Sequence, residues 1–549
     1  MSKKIIETDI KIEDIEFPNK GIGYLDGGKA KKVYIKNAIP GQTIHTQIKK
    51  KKQKYEGRFL YVTENAEYEI KPKCPAFGSC GGCTYQNITY EKELEYKEKN
   101  VLKLFKNSTL KYDEECFLPV LGSPVEECYR NKMEFSFGDT GKDGELSLGM
   151  KKRNSYYEVV NAGECLIVHE DIRKVLSAVL GFFRESGETF YHKMAKTGTL
   201  RHLLVRRSYF EKEMIVGIVT TSGINTDLTG LKDILVNTEF ECKLKGVIHI
   251  INDSVADVVK ADEVKILYGE DCFKERLLGL EFKISLFSFF QTNSAGAEIL
   301  YDTVRNFAGD ISDKVVFDLY CGTGTITQLM AEKAKKVIGI ELVEEAVRSA
   351  EENTRMNGIA NCTFIVGDVL KKVDELEDKP EIIILDPPRE GINPKAIDKI
   401  ASFGAETIVY VSCKASSLVK DLSAFEERGY VVEKVQCVDM FPGTYHIETV
   451  CLLSKGDVKS QKLRVEFSLE DMDTDGFKKG ATYNAIRDWI KEKYGYRVTN
   501  LNIAQVKQKH GIIERENYNK PKTPESKQPG CPEEKVKAIE DAMRHFQMI

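Results

Sequence analysis

The sequence predicts an α/β fold organised around a parallel sheet, and the stretch 314–325 provides the first evidence. Its apolar run 315–317 stops at Asp318, and two closely spaced glycines, Gly322 and Gly324, precede a helical pattern over 326–336. A buried strand, a glycine turn and a helix in this order let the backbone approach a nucleotide-like ligand closely. Because two glycines alone are a weak signal, the prediction depends on the segments that follow.

Three more apolar strands follow, and each ends in an acidic residue. These are the strands 336–341, 362–368 and 381–386, which end in Glu341, Asp368 and Asp386. In nucleotide-binding α/β units, a carboxylate about twenty residues after the glycine turn accepts hydrogen bonds from ribose hydroxyls. Together these segments resemble a class I S-adenosylmethionine-dependent methyltransferase domain.

Length and composition indicate an ordinary protein of several domains. A chain of 549 residues is too long for one compact domain, and 42% hydrophobic with 30% charged residues is typical of a soluble protein. The net charge of −4 means that any nucleic-acid contact must come from local patches. No apolar run approaches the ~18 residues of a membrane span, and no signal-peptide core is present. We expect a cytoplasmic monomer without membrane contact.

Residues 7–64 alternate short strand patterns with turn signals, which predicts a five-stranded barrel of the OB type. The strand patterns lie at 10–15, 21–24, 32–35, 42–48 and 55–62. The lysine run 49–52 beside Tyr55 and Phe59 is a candidate contact for RNA phosphates, and a solvated hairpin is the alternative. The layout resembles a TRAM domain, an RNA-binding barrel at the front of several RNA-modifying enzymes.

Cys74, Cys80 and Cys83 lie close together among glycines, a pattern typical of a metal-binding loop. In a chain with fourteen cysteines and no secretion signal, reduced or metal-bound thiols are expected rather than disulfides. Four thiolates could hold zinc or an iron–sulfur cluster. The spacing leaves the fourth ligand open among Cys116, Cys128, Cys165, Cys242 and Cys272.

The region 85–280 mixes helical patterns with strand patterns, which predicts a central α+β domain. The helical patterns cover 90–106 and 171–185, and the strand patterns cover 202–207, 214–220 and 246–251. Five basic side chains are candidate phosphate contacts, although a solvated sheet face explains them equally well. They are Arg130, Lys132, Arg201, Arg206 and Arg207.

A thiol and a carboxylate near the end of this α/β region point to one chemistry. An apolar strand over 407–412 ends at Cys413, and with Lys414 beside it the thiol is a candidate nucleophile with a lowered pKa. A buried strand-end cysteine is the alternative. His446 and Glu448 lie two residues apart, on one face if the backbone is extended.

Methylation of a pyrimidine at C5 needs both groups, because C5 is a poor nucleophile. Thiolate attack at C6 turns the ring into an enolate whose C5 takes the methyl group. A base then removes the C5 proton, and the thiol is eliminated.

The motifs 318–325, 386–389, 411–414 and 446–449 together resemble the RNA uracil-5-methyltransferase family, over about residues 7–455. The resemblance implies that Cys413 is the nucleophile and Glu448 the base. It places the cofactor and the target base among Gln291, Tyr320, Thr325, Glu341, Asp368 and Asp386. At Tyr320 and Thr325 other side chains also occur in the family, which weakens those two assignments.

The barrel and the cysteine set resemble the 23S ribosomal RNA branch of this family, since the tRNA branch lacks both. The resemblance therefore implies 23S rRNA as substrate. It also implies a [4Fe-4S] cluster held by Cys74, Cys80, Cys83 and Cys165. This cluster would be structural or would position RNA, because methylation needs no redox step.

We predict four domains: a barrel at 1–66, a central domain with the cysteine loop at 67–280, a catalytic domain at 281–457 and a helical module at 458–549. In the last, helical patterns at 483–494, 501–509 and 533–546 suggest a helix-turn-helix-like module, with caps at Thr482 and Asn500. An acidic stretch at 471–475 and a proline-rich and lysine-rich linker at 519–532 complete it. It could be a packing appendage or an RNA-binding accessory.

Two alternatives to the 23S rRNA enzyme stay open. One is a tRNA uridine-C5 methyltransferase, and the other is a non-catalytic protein that binds ribosomal RNA. The presence of Cys413 and Glu448 favours an enzyme, because binding alone requires neither.

Overall fold

The computed structural model describes residues 5–25, 31–51, 54–141, 144–155, 157–255, 261–456, 483–496, 498–510, 531–546 and 548. The chain divides into two compact units, Met1–Val458 and Lys459–Ile549. Among the helices within these ranges, none combines the length and the apolar character that crossing a membrane requires.

The first five strands close into a barrel with the order β1-β2-β3-β5-β4. They are β1 (Ile6–Glu16), β2 (Lys20–Tyr24), β3 (Lys32–Lys36), β4 (Thr43–Lys51) and β5 (Lys54–Glu64). Every second side chain turns inward, so that Ile10, Ile12, Val33 and Ile44 share one core. The predicted OB-like barrel is confirmed. On its surface, the ammonium group of Lys50 lies over the ring of Tyr55.

A helix and a strand connect the barrel to the central domain. α1 (Tyr90–Lys106) has the predicted bounds. Its start is fixed by Thr89, whose hydroxyl caps the first turn by accepting from the backbone N–H of Lys92. β6 (Phe117–Leu121) follows it.

The central domain is a seven-stranded sheet with the order β13-β12-β11-β10-β7-β8-β9. Its elements are β7 (Lys132–Asp139), β8 (Leu146–Lys151), β9 (Val159–Asn161), α2 (Glu170–Ser186), β10 (Leu200–Arg207), β11 (Glu213–Thr220), α3 (Thr229–Asn237), β12 (Lys243–Ile251) and β13 (Glu263–Gly269). Apolar side chains of α2, including Val175 and Phe183, pack on Phe135 and Phe137 of the sheet.

The structure buries three of the five basic residues predicted to contact phosphates. Arg201, Arg206 and Arg207 are each at most 6% exposed. Arg206 donates to the carbonyls of Ser285 and Ser288. The prediction is therefore wrong for these three, because each guanidinium group donates to protein acceptors instead.

The catalytic sheet follows a β-hairpin and has the order β18-β17-β16-β19-β20-β22-β21-β6. The elements are β14 (Cys272–Leu277), β15 (Leu280–Ser285), α4 (Ser294–Ala308), β16 (Val315–Leu319), α5 (Thr325–Ala331), β17 (Lys336–Glu341), α6 (Glu344–Met356), β18 (Cys362–Val366), α7 (Val369–Lys372), β19 (Ile382–Leu385), α8 (Pro394–Ser402), β20 (Thr407–Ser412), α9 (Ala415–Glu426), β21 (Tyr430–Val438) and β22 (Glu448–Lys455).

Strands β16 to β20 are parallel, whereas β22 runs antiparallel between β20 and β21. Apolar clusters cover both faces of this sheet, as expected for continuous apolar strands. The edge strand β6 pairs with β21 although it comes from the segment predicted to be central. The predicted helix over 326–336 is shorter than expected, because Lys336 already begins β17.

The second unit contains α10 (Tyr483–Tyr494), α11 (Asn500–Lys509) and α12 (Glu533–His545). Ile486, Ile490, Ile503 and Ile539 form its core. Thr499, and not the predicted Asn500, caps α11, because its hydroxyl accepts from the backbone of Asn502. The predicted cap Thr482, the acidic stretch 471–475 and the linker residues 519–530 lie outside the described residues.

Candidate active site

The turn between β16 and α5 forms one wall of the site. Tyr320, Gly322 and Gly324 all have positive φ angles, of 74°, 55° and 74°. A Cβ on Gly324 would lie 2.8 Å from the Cβ of Ala350 and from the ring of Phe364, so this turn can pack closely only with glycine. A Cβ on Gly322 would meet open space.

A cavity of about 1180 Å³ opens at the carboxyl edge of the parallel strands, where α/β folds bind their ligands. The structure brings all eight residues predicted for the pocket and the chemistry to its wall. They are Gln291, Tyr320, Thr325, Glu341, Asp368, Asp386, Cys413 and Glu448. Arg130 of the central domain and Gly82 of the cysteine loop also line it.

The two acids at the ends of β17 and β18 hold backbone groups of the cavity wall. Glu341 accepts hydrogen bonds from the N–H groups of Gly322 and Val343, at 3.0 and 2.9 Å. Asp368 is exposed and caps α7 by accepting from the backbone N–H of Leu370 at 2.9 Å. Each carboxylate has lone pairs left for a ligand.

Asp318 also lines the cavity and was absent from the predicted site, although it begins the quoted motif 318–325. Its Oδ2 accepts from the hydroxyl of Thr327 at 2.6 Å, and its Oδ1 has no hydrogen-bond partner within the described part of the chain. Burial raises the pKa of Asp318 to about 7, and burial raises that of Asp386 to about 7 as well. Two such carboxyl groups at one cavity suit a ligand that brings positive charge or hydrogen-bond donors.

Cys413 follows β20, and its environment differs from the expectation. Burial, together with the nearby carboxyl groups of Glu448 and Asp386, raises the pKa of this thiol to about 11. The charge that lowers it is the guanidinium group of Arg389, not that of the neighbouring Lys414. The expected lowered pKa is therefore wrong for the free protein, because desolvation outweighs the cation.

Glu448 begins β22 on the strand next to Cys413, since Ser412 pairs with Thr449. Its side chain is buried, and burial raises its pKa to about 8. The charge of Asp386 contributes to this raised pKa, whereas that of Arg389 opposes it. The carboxyl group therefore holds its proton at neutral pH when the cavity contains no ligand.

Arg389 connects these groups to His446 and was absent from the predicted site, although it lies in the quoted motif 386–389. Its Nη2 donates to Nδ1 of His446 at 3.3 Å. Burial, together with the charges of Arg389, Lys97 and Arg130, lowers the pKa of His446 to about 4. The imidazole is thus neutral at physiological pH.

Tyr301 is a second residue that sequence reasoning missed, because its position in α4 looks like ordinary helix core. Its side chain lines the cavity and shares a hydrogen bond with the side chain of Gln291. Burial raises the pKa of its hydroxyl, and the charges of Asp386 and Glu448 add to the effect. The hydroxyl therefore stays protonated beside the buried acids.

The four cysteines predicted to bind a cluster are neighbours in the structure. Burial, together with the charges of Cys165, Cys80 and Cys74, raises the pKa of Cys83 to about 12. Arg153 donates to the carbonyls of Cys80 and Cys83 and so braces the loop. Within the described ranges, however, no group of three or more Cys, His, Asp or Glu side chains is arranged to hold a metal ion.

Comparisons with known proteins agree with this architecture. The sequence profile of the family described as tRNA (Uracil-5-)-methyltransferase matches residues 89–456. An "Uncharacterized RNA methyltransferase" of Clostridium acetobutylicum is 51% identical over 456 residues, which span 83% of this chain and 99% of that protein. A protein of the same description from Clostridium tetani is 50% identical over 452 residues, 82% of this chain and 98% of that protein.

A solved structure shows the same fold. The crystal structure of Pyrococcus abyssi tRNA (uracil-54, C5)-methyltransferase in complex with S-adenosyl-L-homocysteine superposes with a TM-score of 0.64 at 24% sequence identity. The match covers 82% of this chain and all of that one. The predicted α/β methyltransferase fold is confirmed.

Proposed function

Because this chain belongs to the tRNA (uracil-5-)-methyltransferase family, we propose that it methylates C5 of a uridine in 23S ribosomal RNA, with S-adenosylmethionine as the methyl donor. One observation carries the proposal: Cys413 and Glu448, on the adjacent strand ends of β20 and β22, line the same cavity as Glu341 and Asp386. A nucleophile and a base at a methyl-donor site are what C5 methylation of a pyrimidine requires.

Cys413 acts first in the proposed reaction. The thiol loses its proton to solvent, and its sulfur forms a bond to C6 of the uracil while the C5=C6 electron pair moves toward the C4 carbonyl oxygen. Arg389 favours the thiolate, since its charge lowers the pKa of Cys413. The C5 carbon of the resulting enolate is then nucleophilic.

Bound S-adenosylmethionine supplies an electrophilic methyl group. Glu341 would accept hydrogen bonds from the ribose hydroxyls, as acids at the end of the second parallel strand do in nucleotide-binding folds. Gln291, Tyr320, Thr325, Asp368 and Asp386 would complete the cofactor and base pocket that they line.

Glu448 acts after methyl transfer. In its ionised form, which the charge of Arg389 favours, its carboxylate takes the proton from C5, the C5=C6 double bond re-forms, and the bond between C6 and the sulfur of Cys413 breaks. A raised pKa makes the ionised carboxylate a stronger base than an exposed glutamate.

The barrel and the cysteine loop support ribosomal RNA as the substrate class. The closed barrel carries lysines against tyrosine rings on its surface, a combination suited to phosphates and bases. We assign it to the TRAM type on this basis. The printed name of the P. abyssi protein concerns tRNA, so tRNA is the competing substrate.

We also propose that Cys74, Cys80, Cys83 and Cys165 hold a [4Fe-4S] cluster. The support is that three thiols on a loop held by Arg153 interact electrostatically with the thiol of Cys165 on a separate segment. A cluster would join the loop to the segment near Cys165, and no step of the methylation depends on electron transfer.

Mapping of 5-methyluridine in cells with and without the protein tests the substrate. We expect a site in 23S rRNA to lose its methyl group in the deletion, and to regain it with the wild-type chain but not with Cys413→Ala. A change confined to tRNA would assign the enzyme to tRNA. Unchanged methylation in both RNAs, with binding to 23S rRNA retained, would favour the non-catalytic alternative.

A further inference from the structure

A short loop between β21 and β22, residues 439–447, carries several side chains into the cavity. Val438 pairs with Glu448, so the two ends of this loop meet. We call residues 439–447 the base loop, because the proposed general base Glu448 follows it directly. Phe441, Thr444 and His446 of the loop line the cavity that Glu448 faces. The position of the base loop therefore affects where the carboxylate of Glu448 and the ring of His446 lie.

One buried ammonium group from α1 holds the beginning of this loop. Lys97 is 1% exposed, and its Nζ contacts Glu93 at 2.6 Å, Asp439 at 2.8 Å and the carbonyl of Phe441 at 3.2 Å. These three acceptors match the three N–H donors of an ammonium group. Glu93 and Asp439 are also almost fully buried.

The same network continues to the middle of the base loop. Both carboxylate oxygens of Glu93 accept from the backbone N–H of Gly443, at 2.8 and 3.0 Å. The carbonyl of Gly443 accepts from the backbone N–H groups of Thr84 and Tyr85 in the cysteine loop, at 2.7 and 3.0 Å. The hydroxyl of Tyr129 donates to the carbonyl of Pro442.

We propose that Lys97 is a positioning residue for the methylation reaction: with Glu93, it fixes the base loop from outside the catalytic sheet and so places Glu448 for removal of the C5 proton. The proposal rests on the proposed function. Loss of the ammonium group would leave Glu93 and Asp439 buried without a counter-cation, and the loop would shift to hydrate them. Small displacements of a catalytic group cost large factors in rate.

The level of covalent adduct is a measurement that a purely structural role of Lys97 would leave unchanged. A displaced base slows release of the methylated covalent adduct, whereas addition by Cys413 and methyl transfer depend on other elements. In Lys97→Met we expect the methylated RNA–protein adduct to accumulate about tenfold above the wild-type level. Binding of S-adenosylmethionine, measured by calorimetry, should be unchanged.

Hydrogen exchange gives a second readout that needs no RNA. In Lys97→Met the backbone amides of residues 439–447 should exchange faster, while those of the glycine turn at 320–324 should not change. Lys106→Met is the matched control, because Lys106 lies on the same helix and its side chain is 57% exposed. This control should behave as the wild type in both measurements.

A parallel loss of cofactor binding, adduct and product in Lys97→Met would overturn the proposal, as would wild-type exchange of the base loop. If Lys97→Met does not fold, Glu93→Gln decides by the same two readouts, since it weakens the ion pair but keeps the side-chain shape. If the wild type forms no adduct and no 5-methyluridine, the proposed function fails. Hydrogen exchange would then still show whether Lys97 holds the base loop.

Discussion

The carboxylate of Glu341 accepts a hydrogen bond from the backbone N–H of Gly322 at 3.0 Å, which ties the end of β17 to the glycine turn after β16. Its other oxygen accepts from the backbone N–H of Val343. The acid proposed to bind the cofactor ribose is thus oriented before any ligand arrives. Such preorganisation reduces the entropic cost of binding.

Glu341→Ala should weaken binding of S-adenosylmethionine by about 1–3 kcal/mol, because the ribose hydroxyls and two backbone N–H groups lose a charged acceptor. Calorimetric titration of the folded variant measures the effect. Glu344→Ala, at an exposed neighbouring position outside the cavity, is the control. Equal affinities in the three proteins would show that the cofactor ribose lies elsewhere.

Cys413→Ala and Glu448→Gln should fail at different steps. The thiolate acts first, so Cys413→Ala should give no methylation and no covalent RNA–protein species. Glu448→Gln keeps the side-chain shape but lacks the base, so the methylated adduct should accumulate as a slow band that carries RNA and methyl label on a denaturing gel. The band should decay slowly if water or His446 replaces the base. Wild-type turnover in Glu448→Gln would exclude Glu448 as the base.

Arg389→Met should shift adduct formation to higher pH. The thiol of Cys413 has a pKa of about 11 in the free protein even with the guanidinium group nearby, and removal of this charge raises that pKa further. Below its pKa the thiolate fraction falls about tenfold per pH unit, so addition at neutral pH should slow. Rates of adduct formation between pH 6 and 10 measure this.

The control for this experiment is Lys395→Met, at an exposed position of α8. An identical pH profile for Arg389→Met and the wild type would mean that another cation, such as Arg130, stabilises the thiolate.

The raised pKa of Glu448 should make the unfolding free energy depend on pH. The folded state holds this proton up to a pH of about 8, whereas an ordinary glutamate releases it near 4.5. Between these values the folded state binds more protons than the unfolded state, so stability decreases as the pH rises. At pH 8.5 the ionised carboxylate is buried, and the charge of Arg389 compensates only part of the desolvation.

Glu448→Gln should therefore stabilise the ligand-free protein at pH 8.5 by about 1–3 kcal/mol, and hardly at all at pH 5. Thermal or denaturant unfolding at the two pH values measures the difference. An equal effect at both would indicate that the amide changes packing rather than removing a buried charge.

Protein purified without oxygen should be brown and contain about four irons and four acid-labile sulfides per chain. Cys83→Ser should lose them, because one of the four thiolate ligands is missing. Cys242→Ser, at a buried cysteine outside the set, should keep them. Stoichiometric zinc without iron would exclude the cluster.

Much of the fold was predictable because it depends on local patterns. The bounds of α1 and α10 agree with the helical patterns, and each strand of the parallel region begins within one residue of the predicted position. Acids at the ends of parallel strands must meet at one edge of a sheet. The set of cavity residues could therefore be listed in advance, while their roles stay proposals.

The structure differs from the sequence-based predictions where residues distant in sequence meet. β6 joins the catalytic sheet from the preceding region, and the buried Arg206 binds carbonyls about 80 residues further along the chain. Neither has a local signal, because an edge strand and a basic residue on a strand look the same wherever they pack.

The amino-acid sequence alone determined the alternation of strands and helices, the glycine turn, and the chemical types of the candidate residues, because these depend on neighbours within a few positions. Only the tertiary structure decided the protonation of Cys413 and Glu448, the partnership of Arg389 with His446, and the hold of Lys97 on the base loop. The physical reason is that desolvation and charge act through space, and Lys97 and Asp439 are 342 residues apart in the chain.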